Sequence, residues 1–121
     1  MKVLIVGSFP VEPPTEEEAR QDPAKQQIAQ EFESFQNSCR ALGKELAKSG
    51  ATVYVGTDSF EDADLYVVEG VSQASPSPEL KKHAVVVYTP DDWRGGSPPF
   101  SDRLQEFSNV SVEYIRVPGP W

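Results

Sequence analysis

Short apolar runs, each closed by a turn-forming residue, punctuate an otherwise polar chain. Val3 to Val6 stops at Gly7, Thr52 to Val55 stops at Gly56, and Ala84 to Tyr88 stops at Thr89-Pro90. Runs of this length bounded by Gly or Pro predict strands buried on both faces, as in a parallel sheet. Residues 110–117 read differently: Val110, Val112, Tyr114 and Arg116 fall on alternate positions and point one way. Strict alternation predicts a half-exposed edge strand. Between the first two strands, Ile28, Phe32, Phe35, Cys39, Leu42 and Leu46 recur at steps of four and three. That spacing lays one apolar stripe along a helix over 24–49. Asp22-Pro23 supplies its N-cap and first residue, and Ser49-Gly50 its stop. Such a helix would be about 39 Å long, twice the ~17–20 Å of a typical strand. Its first turns must therefore project, bend or rest on something besides the sheet. Thr15 and Glu18 have capping-box spacing, so a short helical turn is expected before Pro23.

The segment EDADLYVVEGV, 61–71, has two readings. Ala63, Leu65 and Val68 suit a helix capped by Ser59; LYVV alone suits a strand. The helix is preferred because it keeps strands and helices alternating. Phe100 to Phe107 suggests another short helix after the Gly95-Gly96-Ser97-Pro98-Pro99 breaker cluster. The expected architecture is α/β: a Rossmann-like three-layer sandwich with a mainly parallel sheet of about four strands and right-handed crossovers. Residues 1–121 read as a single domain. No helix follows the last strand, which gives the sequence the look of the N-terminal part of a longer domain.

Charge narrows the partners. The 121 residues hold 19 acidic and 11 basic side chains, for a net charge of −8. A polyanion is repelled on average and no Lys/Arg run offers a local exception, so nucleic acid is not an expected partner. A small anion remains compatible through backbone N–H groups. One cysteine precludes an internal disulfide. The MKVLIVG run is too short for a signal-peptide core or a bilayer span. A cytoplasmic protein without membrane attachment is the expectation.

In an open parallel sheet, ligands bind outside the carboxyl ends of the strands. Gly7, Ser8, Gly56, Thr57, Asp58, Ser59 and Thr89 stand at those ends and are the candidate ligand-binding residues. Glycine admits close backbone approach, and hydroxyls beside a helix start can hold a phosphate. The plainer reading is that the glycines make tight turns and Ser59 caps a helix. Neither G-x-x-x-x-G-K-[ST] nor G-x-G-x-x-G occurs, which disfavours ordinary ATP or NAD binding by the first loop. No cofactor is expected. Acid–base candidates are Asp58, Asp62, Asp64, Glu69, Asp91 and Asp92, with Asp58 placed best because it follows a buried strand directly. Glu16-Glu17-Glu18 reads as a solvated face. Cys39 belongs to the apolar stripe and His83, beside Lys81 and Lys82, reads as a surface residue, so no metal site is expected. Trp93, Arg94 and Phe100 lie in a Gly/Pro loop that suits a lid, a stacking patch or a plain flexible loop.

KVLIVGS at 2–8 and ALGKELAKSGATVYVG at 41–56 resemble the start of the SLOG superfamily, Rossmann-like domains similar to the cytokinin-activating LOG phosphoribohydrolases and the DNA-processing DprA proteins. The resemblance rests on Gly7-Ser8, Leu42-Gly43, Leu46-Ala47, Gly50 and Gly56; ADLYVVEGV and AVVVYTP resemble the helix and strand that follow. It implies a module that binds or senses a nucleotide or nucleotide derivative within a signalling or defence protein. Gly7, Ser8, Gly56 and Thr57 carry over by position. Enzymatic members cleave an N-glycosidic bond with the help of a P-G-G-x-G-T-x-x-E motif, which is absent here, and no catalytic residue carries over. Two other readings stand beside this one. The first is an N-glycosidic-bond enzyme, either LOG-like or nucleoside deoxyribosyltransferase-like; only in the latter would 63–69 be a strand. The second is a ligand-free interaction domain that forms a homo-oligomer or docks a downstream domain.

Overall fold

The computed structural model describes residues 1–56, 62–75, 82–90, 104 and 107–117. Its element order is β1 (Lys2–Leu4), α1 (Glu16–Gln21), α2 (Pro23–Lys48), β2 (Thr52–Val55), α3 (Ala63–Gln73), β3 (His83–Pro90) and β4 (Val110–Val117). The four strands form one sheet in the order β1-β2-β3-β4, and every neighbouring pair is parallel. The α/β class and the parallel sheet of four strands are as the sequence predicts. The expected helix over Phe100 to Phe107 lies mostly outside the described residues.

Because the strands follow one another in chain order, right-handed crossovers all pass over the same face of the sheet. The core shows this directly. Ile5, Val53, Val55, Val85 and Val87 form one cluster with Cys39 and Ala47 of α2, with Val67, Val68 and Val71 of α3, and with Leu104 from the β3–β4 crossover. Of the three expected layers, the described residues supply two, the sheet and the helices on one side of it. On the opposite side, Leu4 is 63% exposed and Tyr88 37%.

Local signals place the helix starts. Thr15 and Glu18 form the reciprocal capping box at α1, and Asp22 caps α2 by accepting the Ala24 N–H, with Pro23 as first residue. The first turns of α2 do not hang free. They rest on α1, where Lys25 pairs with Glu18, and Phe9 packs its ring on Phe32 and Phe35.

The apolar stripe of α2 is rotated from its predicted centre. Cys39, Gly43 and Ala47 are buried, whereas Leu42 is 47% exposed. The cause is how closely α3 approaches. A side-chain carbon on Gly43 would overlap the Val67 carbonyl oxygen, and one on Gly70 would overlap the Arg40 carbonyl oxygen. Each helix thus presents a glycine to the other's backbone, and only small residues fit along that line. Arg40 and Glu69 close the crossing with a 2.8 Å ion pair, and the Arg40 guanidinium lies 5.5 Å from the centre of the Tyr66 ring.

Residues 63–73 are helical, as preferred, but the cap is Asp62 rather than Ser59. Nine of the eleven α3 residues are buried, between α2 on one side and the sheet on the other. His83 corrects its expected surface position: it is 7% exposed, with Nε2 3.1 Å from the Ala74 carbonyl oxygen. Its backbone N–H donates to Asn109, whose side chain in turn donates to the Ser72 carbonyl. This clasp ties the end of α3 to the start of β3, and a buried ring with its polar atom paired is its natural component.

Candidate functional site at the strand ends

Parallel pairing sends the carboxyl ends of β1, β2 and β3 to the same edge of the molecule. There the chain leaves a cleft of about 520 Å³ lined by Leu4, Ile5, Val6, Gly7, Ser8, Gly56, Asp62, Asp64 and Tyr88. A second hollow of about 400 Å³, along Ser8 to Glu12, shares Ser8 and Asp62 with it. Both volumes suit a small organic molecule.

Three of the predicted ligand-binding residues, Gly7, Ser8 and Gly56, meet in this cleft. Thr89 lies in β3, in register with Arg116 of β4. Thr57, Asp58 and Ser59 lie outside the described residues, as do Asp91, Asp92, Trp93, Arg94 and Phe100.

Backbone bonds fix the cleft's shape. Gly7 has φ +147°, a conformation that side-chain-bearing residues rarely adopt, and its carbonyl accepts the Ala63 N–H at 2.9 Å. Ser8 forms an antiparallel bridge with Asp62. The loop after β1 is thereby stitched to the first turn of α3. Asp64, 4% exposed, reaches from that turn to accept the Gly56 N–H at 2.8 Å, which ties the end of β2 to the same helix.

The two carboxylates therefore differ in role. Asp64 is a buried fastener. Asp62 stands at the N-cap, makes no side-chain capping bond and borders both hollows. Asp58, the carboxylate best placed by its position in the sequence, lies outside the described residues. The signal that finds Asp62 and Asp64 is the Asp-Ala-Asp immediately before the apolar LYVV run, once the helix is started at Ala63 instead of Ser59. Tyr88, which the sequence marks only as the end of a strand, also borders the cleft with its ring and stacks on Tyr54 at 5.5 Å.

No basic side chain lines either hollow among the described residues, whereas Asp62, Asp64 and Glu12 do. The surface favours hydroxyl or amino donors over an exposed phosphate, which would have to rely on backbone N–H groups. Cys39 lies apart in the helix interface, where burial raises its thiol above the ordinary range and makes it a poor nucleophile. Among the described residues, no group of three or more His, Cys, Asp or Glu could hold a metal ion, and no helix is long and apolar enough to cross a membrane. Glu69 is engaged by Arg40. The extended 63–69 segment that would favour a deoxyribosyltransferase-like enzyme is instead helix.

No family model matches the chain, and no curated protein or solved structure is significantly similar to it.

Proposed function

We propose that this chain binds a nucleotide-derived small molecule at the strand-end cleft, gripping it by the nucleoside part, and acts as a sensing module of the SLOG kind. The observation that carries the reading is the convergence of Gly7, Ser8, Gly56 and the Asp62 carboxylate on one cleft bordered by the Tyr88 ring. Asp62 accepts a ribose hydroxyl, as acidic residues do at comparable strand ends. Gly7 and Gly56 let the ligand approach the backbone, and Tyr88 offers a face to a base. The sensing role rests on the resemblance of the strand–helix–strand segment to that superfamily.

A thermal-shift series with adenosine, guanosine, cytidine, uridine, AMP and ADP-ribose tests this. A ligand present at 100 times its Kd stabilises by about 2.7 kcal/mol, or roughly 10 °C for a chain of this size. Asp62→Asn should leave the unliganded melting temperature unchanged and weaken the response. Absence of a shift with every compound would count against the reading.

A further inference from the structure

We infer, building on nucleoside binding at the strand-end cleft, that the neighbouring hollow along Ser8 to Glu12 holds a positively charged amine carried at the ligand's 5′ position, and that a 5′ phosphate is disfavoured there. Ser8 and Asp62 are common to the two hollows. A ribose held by Asp62 therefore sits where they meet. A base directed toward Tyr88, in the cleft of about 520 Å³, leaves the 5′ carbon turned toward the hollow of about 400 Å³. That second hollow is itself large enough for a ligand group, and its wall is fixed. Ser8 is bridged to Asp62, and the Phe9 ring packs on Phe32 and Phe35 of α2.

The donors decide which group fits. A phosphate at the end of a parallel strand is held by free backbone N–H groups or by basic side chains. Here two such backbone donors are already committed. The Gly56 N–H, at the end of β2, donates to the Asp64 carboxylate at 2.8 Å, and the Ala63 N–H, at the start of α3, donates to the Gly7 carbonyl at 2.9 Å. Pro10, in the wall of the hollow, has no N–H to offer. The charged side chains lining the hollow among the described residues are Glu12 and Asp62, with the Ser8 hydroxyl as a further acceptor. An ammonium group brings three donors and no acceptor, the complement of that wall. A phosphate brings acceptors alone and meets two carboxylates.

Calorimetric titration of the 121-residue chain with adenosine, 5′-amino-5′-deoxyadenosine and AMP at neutral pH tests this. The amine should bind about tenfold more tightly than adenosine, the scale of one charge-assisted hydrogen bond. AMP should bind more weakly than adenosine. Raising the salt from about 0.05 to 0.5 M should narrow both differences, because it screens the carboxylates. Glu12→Gln should cut the amine's advantage over adenosine to about threefold. Glu17→Gln, the same change on the exposed face of α1, should leave that ratio as it is in wild type, which separates the hollow from the chain's overall charge. AMP binding as tightly as adenosine, an amine no better than adenosine, or a ratio indifferent to Glu12→Gln would each overturn the inference while leaving nucleoside binding in place. No binding by any of the three compounds would defeat the cleft reading, and the inference with it.

Discussion

Gly43 and Gly70 sit where two helices touch, whereas Gly7 and Gly56 sit where two strands end. The first pair is glycine because backbone lies where a side chain would be. At the second pair space is open: Gly7 would meet only Ala63, at 3.9 Å, and Gly56 nothing within 4 Å. The α2–α3 crossing is a place the fold has filled, and the strand-end cleft a place it has left empty. Glycines at the first kind of site hold the molecule together. Those at the second shape a surface, and Gly7 alone adds a conformational demand through its φ of +147°.

The sharpest way to break this comparison is to add one methyl group at each site. Gly43→Ala or Gly70→Ala must push the two helix backbones apart, at a cost of about 3 kcal/mol, partly offset by alanine's better helix propensity. Gly56→Ala should change stability by less than about 0.5 kcal/mol. Urea unfolding followed by circular dichroism measures all three, and equal losses at Gly56 and Gly43 would erase the distinction.

Asp64 is where the two regions meet. Asp64→Ala removes the acceptor of the Gly56 N–H and should destabilise by about 1–2 kcal/mol, while Asp64→Asn, which can still accept, should cost less. The same unfolding curves decide this, and an alanine variant as stable as wild type would show that the fastening is idle.

The smallest effect is expected at α1, far from both. A hydrogen bond from Lys25, and then those from Thr15, lower the Glu18 carboxyl from 4.5 to about 2. The folded state therefore favours the ionised form. Its contribution is present in full above pH 4.5 and is lost as pH falls through about 2. Amide exchange across that window should show α1 fraying while the α2–α3 crossing stays protected. Glu18→Gln should remove the pH dependence of the fraying.

Much of this architecture was legible in the residues. The Thr15–Glu18 box, the Asp22-Pro23 start and the boundaries of β2 and β4 are local signals that need no tertiary partner. What was not legible depends on neighbours. Leu42 fitted the stripe by spacing, yet the small residues took the interior because α3 comes so near. The start of α3 was misplaced because a helix buried nearly all round carries no amphipathic phase to mark its first turn. His83 looked exposed beside two lysines, and only the Ala74 carbonyl and Asn109 explain its burial. In the cleft, the glycine-ended strands announced Gly7, Ser8 and Gly56. Asp62 and Tyr88 became candidates only when strand register and helix start were known.

The most direct test of the cleft as the binding surface is a titration of the ¹⁵N-labelled chain with adenosine, AMP and ADP-ribose, followed by amide chemical shifts. The account predicts that the largest changes fall on Gly7, Ser8, Gly56 and Asp62 to Asp64, with little at Gly43 and Gly70. Shifts confined to α1 or to the outer rows of the sheet, or none with any of the three compounds, would contradict it.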